Sequence, residues 1–277
     1  KTLTSENWTI ATDIEQRIRE KIERIGKPLK EWDIQINYGI KTGFNEAFII
    51  DGATKKRLIA EDPKSAEIIK PLLRGRDIKR YKAEFADLWL IATFPSLKIN
   101  IDEYPAVKRF LEGFKPKLKQ EGVSISAADR RRILEHARQW NITVSEDDLR
   151  KSRKKTGNKW FETQDQISYY QEFEKEIIVW KAVGRNLTFC LWGNGKYLTA
   201  PASFISTKSK NFTFFLLAIF QSKYAQYFII ENADSTGAGD VMLNIQSMEK
   251  LYIPNISESE QKPIVELVEK ILAGKER

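Results

Sequence analysis

Five isoleucines open the chain at helical spacing: Ile10, Ile14, Ile18, Ile22 and Ile25. Residues three or four apart share one face of an α-helix, so the run predicts an amphipathic helix with a continuous apolar stripe. Thr12 and Glu15 fit a capping box at its start, and Gly26 with Pro28 ends it. Such a stripe requires a partner surface. Ile264, Leu267, Val268 and Ile271 predict a second amphipathic helix over residues 257–274, with Pro263 disturbing its first turn. Helices of this kind at both ends can pack on each other or dock to neighbouring parts of a longer polypeptide.

Between them the pattern alternates. Residues 32–41 and 47–51 read as strands, and the intervening Thr42, Gly43 and Asn45 suit a turn. This predicts a hairpin with Lys41, Thr42 and Asn45 at its tip. Residues 63–73 suit a short helix and 86–93 a buried strand. Val107, Phe110, Leu111, Phe114 and Leu118 mark a helix over 103–119 whose last turns Pro116 unsettles. Ser126 caps a helix running to about Trp140, and Ser145 a shorter one. A helix-turn-helix reading of this pair is disfavoured, because Glu146, Asp147 and Asp148 open the second helix and would repel phosphates. Residues 177–183, 186–192 and 196–207 read as strands, with Gly193, Asn194 and Gly195 as a tight hairpin turn. Asn211 suits the cap of a long helix to about Asn232. The expected fold is α+β: a mixed, mainly antiparallel sheet core with flanking helices, a helical insertion and an amphipathic helix at each end. The expected division is 1–28 as an N-terminal helix, 29–254 as the main domain with 121–159 as an inserted helical and basic lobe, and 255–277 as a C-terminal helix.

The charge pattern points to an anionic partner. Residues 70–81 read Lys-Pro-Leu-Leu-Arg-Gly-Arg-Asp-Ile-Lys-Arg-Tyr, in which only Asp77 opposes the cations. Arginines held by a glycine turn suit phosphate oxygens and guanine edges, since the guanidinium is a planar fork of donors. Residues 150–159 carry six basic side chains and no acid, and Trp160, Phe161, Tyr169 and Tyr170 follow. Basic residues beside aromatics suit a nucleic-acid surface. The whole chain of 277 residues has a net charge of +8 and a pI of about 9.3. A single cysteine, Cys190, excludes an internal disulfide, suggests a reducing, cytoplasmic setting, and sits in an apolar run as a buried inert thiol. A single histidine, His136, removes most His/Cys metal sites and reads as a surface or half-buried helix residue. No stretch has the length of a membrane span, so no membrane partner is expected. Lys1 stands first without a methionine, which suggests a piece of something longer. The phosphate loop, the zinc-protease motif and the Asn-Pro-Pro-aromatic box of amino-directed methyltransferases are missing, and Gly237-Ala-Gly239 is a lone glycine pair.

Several strings in order carry a resemblance: residues 39–48 (Gly-Ile-Lys-Thr-Gly-Phe-Asn-Glu-Ala-Phe), 69–78 (Ile-Lys-Pro-Leu-Leu-Arg-Gly-Arg-Asp-Ile), Tyr169-Tyr170, 173–180 and 253–261. From about Leu29 onward the chain resembles the TaqI-like C-terminal specificity domain, the target-recognition half of some adenine-specific DNA methyltransferases and of fused restriction-modification enzymes. Residues 121–159 depart from that pattern. The resemblance implies a preceding catalytic domain of the same polypeptide that binds S-adenosylmethionine and carries the missing box, with no cofactor or metal and no catalytic residue on this chain. It implies double-stranded DNA as partner, with the target adenine swung out of the stack. The expected contacts are Lys41, Thr42, Asn45, Arg74, Arg76, Lys79 and Arg80 near the bases, with Arg74 or Arg76 reading guanine and Asn45 adenine. Arg153, Lys154, Lys155 and Lys159 are expected on phosphates. The alternatives are a specificity subunit-like module of a multi-subunit restriction system, a magnesium-dependent nuclease, and a binder of RNA or anionic membranes.

Overall fold

The computed structural model describes residues 13–184, 187–235 and 240–276. Ile10, Thr12, Gly237 and Gly239 lie outside them, as do the side chains of Ile14 and Glu15. The chain forms two compact units, a central one of residues 35–206 and a terminal one of residues 1–34 and 207–277. Residues 29–34 and 207–254 thus group with the end helices.

The central unit holds two four-stranded sheets. In the first, Phe189–Gly193, Glu176–Trp180, Ser203–Thr207 and Ile34–Tyr38 lie side by side in that order. Glu176–Trp180 runs antiparallel to both Phe189–Gly193 and Ser203–Thr207. Ile177, Ile178, Val179 and Trp180 are all buried, which is why this strand is a continuous apolar run and not an alternating one. In the second sheet the order is Tyr197–Leu198, Ile69–Leu73, Leu88–Ile91 and Ile49–Asp51. Its only parallel pairing among the described residues is Tyr197–Leu198 with Leu72 and Leu73. The fold is α+β. Phe173 packs against Tyr197 and Phe204 with ring centroids 4.8 and 4.7 Å apart.

Four local expectations are corrected. Residues 32–51 do not form a hairpin: Ile34–Tyr38 and Ile49–Asp51 belong to different sheets, joined through a short helix, Asn45–Phe48. Phe44, Ala47 and Phe48 are buried, a helical spacing that overrides the turn signal of Gly43. Residues 69–73 form a strand and not the end of a helix, and only 63–67 coil, as a 3-10 turn. Residues 196–207 split into two strands in different sheets, so the turn at Gly193–Gly195 links sheets where a hairpin was expected. The long helix predicted after Asn211 is two, Lys210–Phe220 and Lys223–Asn232, capped by Ser209 and Ser222.

Elsewhere the helical spacing is realised. Pro105–Glu112 and Lys115–Leu118, with Phe114 between them, bury Val107, Phe110, Leu111, Phe114 and Leu118. They break where Pro116 has no N–H for the carbonyl four residues back. Ser126 caps Ala127–Gln139 by accepting from the Asp129 amide. The flanks of this helix run side by side: Gly122 N donates to Arg153 O, Ser152 N to Val123 O and Ile125 N to Arg150 O.

The terminal unit pairs Gly26–Pro28 antiparallel with Tyr252–Pro254. Helix Glu258–Glu276 packs on Lys210–Phe220, and its Val265 and Val268 are buried. On Asp13–Ile25 the predicted stripe is largely uncovered, with Ile18 45% and Ile25 50% exposed.

Candidate nucleic-acid interface

Residues 39–41 lie along segment 198–202. Gly39 N donates to Ala202 O (2.8 Å), Ile40 N to Leu198 O (2.7 Å), and Ala200 N to Ile40 O (3.1 Å). A Cβ at Gly39 would stand 2.5 Å from the Thr199 carbonyl carbon, so only glycine permits this approach. On its other side the same segment holds the end of strand Ile69–Leu73, where Thr199 N donates to Leu73 O (3.0 Å). Gly75 faces Lys181 and Ala202, whose Cβ atoms lie 3.4 and 3.6 Å from where its own would be. The Lys41 loop and the arginine loop, more than thirty residues apart in sequence, therefore flank one segment.

The arginine loop begins with Arg74, whose Nε and Nη2 donate to the two carboxylate oxygens of Asp77 at 2.7 and 3.0 Å. Side-chain exposure is 27% for Arg74 and 12% for Asp77. A 3-10 turn, Gly75–Asp77, closes around this pair and leads into the hairpin Ile78–Lys79/Lys82–Ala83. Tyr81, with φ 60°, makes its turn and donates its amide to Phe189 O. Arg76 is exposed, and its guanidinium has no hydrogen bond or ion pair among the described residues. Lys79 reaches Arg76 O at 3.0 Å and Glu84 at 3.6 Å, and Arg80 lies over the Tyr81 ring.

The third basic segment is tied to the first by one side chain. Arg153 is 2% exposed. Its guanidinium makes four hydrogen bonds to three carbonyls: Nε and Nη2 to Leu118 O, Nη1 to Thr42 O, and Nη2 to Trp160 O. Burial pushes its pKa down to about 10, with nearby Glu162 opposing, so it remains a cation at neutral pH. Arg153 is thus a clamp between chain segments, and the expectation that it holds phosphate is corrected. Thr42 is corrected likewise. It is 2% exposed, its hydroxyl donates to Asn45 Oδ1 (2.7 Å), and its carbonyl accepts from Arg153 and from the Gln164 amide. Lys41, Asn45, Lys154, Lys155 and Lys159 are exposed.

The aromatics after this segment do not form a stacking platform. Phe161 is buried, Trp160 stands edge-on to it under Lys115, and Tyr170 packs on Phe94. Tyr169 donates its hydroxyl to Tyr38 O at 2.8 Å, and burial pushes its pKa up to about 12.

Two further cations join the site. Lys117 lines a pocket of about 310 Å³ together with Lys41, Thr42, Asn45, Asp148 and Thr199. Its Nζ donates to the carbonyls of Asp148 and Lys151, and burial lowers its pKa against the pull of Asp148 and Glu46. In the sequence it alternates with Lys115 and Lys119, and nothing in that pattern singles it out for this pocket. Lys181 follows the strand Glu176–Trp180 directly, and no sequence signal separates it from an ordinary surface lysine.

Among the described residues, no group of three His, Cys, Asp or Glu side chains could hold a metal ion, and no helix is long and apolar enough to cross a membrane. Cys190 is buried, which pushes its thiol pKa up to about 12.

No family model and no curated protein matches this chain. Solved structures that resemble it include two restriction enzymes. The type IIG restriction endonuclease BpuSI aligns with a TM-score of 0.47 at 16% identity, covering 91% of this chain and 28% of that one. The type IIL restriction-modification enzyme MmeI, solved in complex with DNA, aligns with a TM-score of 0.54 at 11% identity, covering 90% of this chain and 29% of that one. The chain spans less than a third of either, and the likeness to MmeI is one of fold.

Proposed function

We propose that this chain is the DNA target-recognition module of a type II restriction-modification enzyme, of the TaqI-like kind. In this reading it follows an N6-adenine methyltransferase domain, and S-adenosylmethionine binds that domain. Exposed lysines and arginines neutralise phosphates and release counterions, and a few side chains read base edges. The observation that carries the reading is the gathering of loops 41–45, 74–80 and 153–159, distant in sequence, by hydrogen bonds to segment 198–202 and through Arg153. The fold likeness to MmeI supports it. The phosphate contacts are Lys41, Arg76, Lys154, Lys155 and Lys159, with Lys79 and Arg80 at the hairpin turn.

The test is binding of the purified chain to a random-sequence duplex by fluorescence anisotropy across a salt series. Affinity should fall linearly on a log–log plot, with a slope near −0.9 for each phosphate neutralised. A flat salt dependence removes the electrostatic basis of the reading. Methylation of adenine in a duplex by the longer polypeptide, and its loss when residues 35–206 are deleted, would tie the module to its chemistry.

A further inference from the structure

A guanidinium has two edges that can each hold a pair of acceptors. The side edge is Nε with Nη2, and the end edge is Nη1 with the second N–H of Nη2. Asp77 fills the side edge of Arg74 with both of its oxygens. No acceptor among the described residues occupies Nη1. The pair is recessed, and Asp77 is held within a closed 3-10 turn whose N–H bonds back to Arg74 O at 3.0 Å. Arg74 therefore presents a fork whose rotamer is already fixed. Resting on the proposed DNA reading, we propose that the end edge of Arg74 reads the O6 and N7 of a guanine in the major groove, and that Asp77 is the positioning residue that aims it.

Two considerations favour a base over a phosphate. Guanine is the one base that offers two acceptors side by side in the major groove. The Arg74–Asp77 pair has no net charge, so it gains little by meeting a phosphate anion, whereas a base edge is neutral. Arg76, next to it, is exposed and has no ion-pair partner among the described residues, which suits a phosphate.

The test uses the full chain. A randomised duplex library is selected by binding and sequenced for the wild type, Arg74→Ala, Asp77→Asn and Arg76→Ala, and each protein's salt slope is measured on a random duplex. The wild type should enrich guanine at one position. Arg74→Ala and Asp77→Asn should lose that preference on the order of 10- to 100-fold, with other positions and the salt slope kept. Arg76→Ala should keep the guanine and flatten the slope. Where Asp77→Asn does not fold, as judged by its melting curve, Arg74→Lys takes its place. It keeps the charge without the fork, and it must lose the same guanine. The inference is overturned if Asp77→Asn selects as the wild type does, if Arg74→Ala weakens all duplexes alike and flattens the slope, or if salt-dependent binding enriches no guanine. Absence of duplex binding at any salt would instead end the reading on which it rests.

Discussion

Replacing Arg153 by alanine should cost stability before it costs DNA affinity. The guanidinium supplies four hydrogen bonds to the carbonyls of Leu118, Thr42 and Trp160 at a position 2% exposed. Thr42 O would keep the Gln164 amide, but Leu118 O would lose both of the donors that Arg153 provides. A buried carbonyl left unpaired costs roughly 1–3 kcal/mol. The buried Leu118 O, the part-buried Trp160 O and the void left by the side chain sum to about 5 kcal/mol. Removing a buried cation returns part of this, because desolvation is what lowers the Arg153 pKa. The net loss is about 3 kcal/mol, which for a unit of this size lowers the melting temperature by about 6–12 °C. Differential scanning calorimetry with urea titration measures it. Arg153→Lys should recover only part, since an ammonium cannot span three carbonyls from one rigid plane. The reasoning is refuted if Arg153→Ala melts within about 1 °C of the wild type while its affinity for a random duplex falls and its salt slope flattens. That outcome would make Arg153 a phosphate contact.

The Gly39→Ala chain should lose more than about 2 kcal/mol and bind duplex more weakly, because the new Cβ meets Thr199 and Ala200 backbone at 2.5–2.7 Å and neither can yield; unchanged unfolding would show that segment 198–202 gives way. Lys41, Arg76, Lys154 and Lys155 changed together to alanine should leave the melting temperature within about 2 °C and reduce the salt slope by up to about 3.6, or about 0.9 for each phosphate no longer neutralised. A fall in stability without a change in slope would count against their role. His136 has its pKa lowered mainly by burial, with the hydrogen bond to Phe110 O opposing and Arg57 adding to the shift. The unfolded chain then takes up a proton first, so stability should fall as pH drops from 6.5 through the lower folded value and level off beneath it. In His136→Gln that part of the pH dependence should vanish from thermal melts. Cys190 should not react with a maleimide in the native state at about pH 8 and should react fully in urea, since its thiol is buried with its pKa pushed up to about 12.

Periodic signals survived translation into structure where a single helix face decided the outcome. Val107, Phe110, Leu111, Phe114 and Leu118 are buried as their spacing requires, and Ser126 caps its helix through the Asp129 amide. Strand partners were less legible, because a strand's pattern says which residues are buried and not which sheet receives them. Residues 34–38 and 49–51 were each readable as extended, yet they join different sheets. The basic loops could be read as basic, but charge alone does not separate a solvated cation from a clamped one. Arg153 and Lys154 are adjacent and equal in charge. One is buried among carbonyls and the other exposed, a difference set by Thr42, Leu118 and Trp160, which come from elsewhere in the chain. Asp77 in turn looked like a lone opposing charge, and the structure makes it the partner that fixes Arg74.

The clamp at Arg153 also determines which parts of the 121–159 lobe are coupled to the interface. The stem of the lobe, 120–125 against 150–156, is held by Gly122 N to Arg153 O, Ser152 N to Val123 O and Thr156 N to Gln120 O, and from it Arg153 reaches Thr42 beside Lys41. Loosening the stem must therefore withdraw Arg153 from the Thr42 carbonyl, leaving it the Gln164 amide alone, and slacken the backbone that positions Lys41. The helix Ala127–Gln139 is anchored differently, through His136 and Trp140 against Phe110 and Phe114, with Gly113 under the His136 ring. Damage there costs buried packing but leaves the Thr42–Arg153 hydrogen bond in place. Stability and duplex affinity should consequently fall together for changes in the stem and separately for changes around His136. Residues 121–159 thus form two energetic parts, of which only the stem belongs to the proposed binding surface.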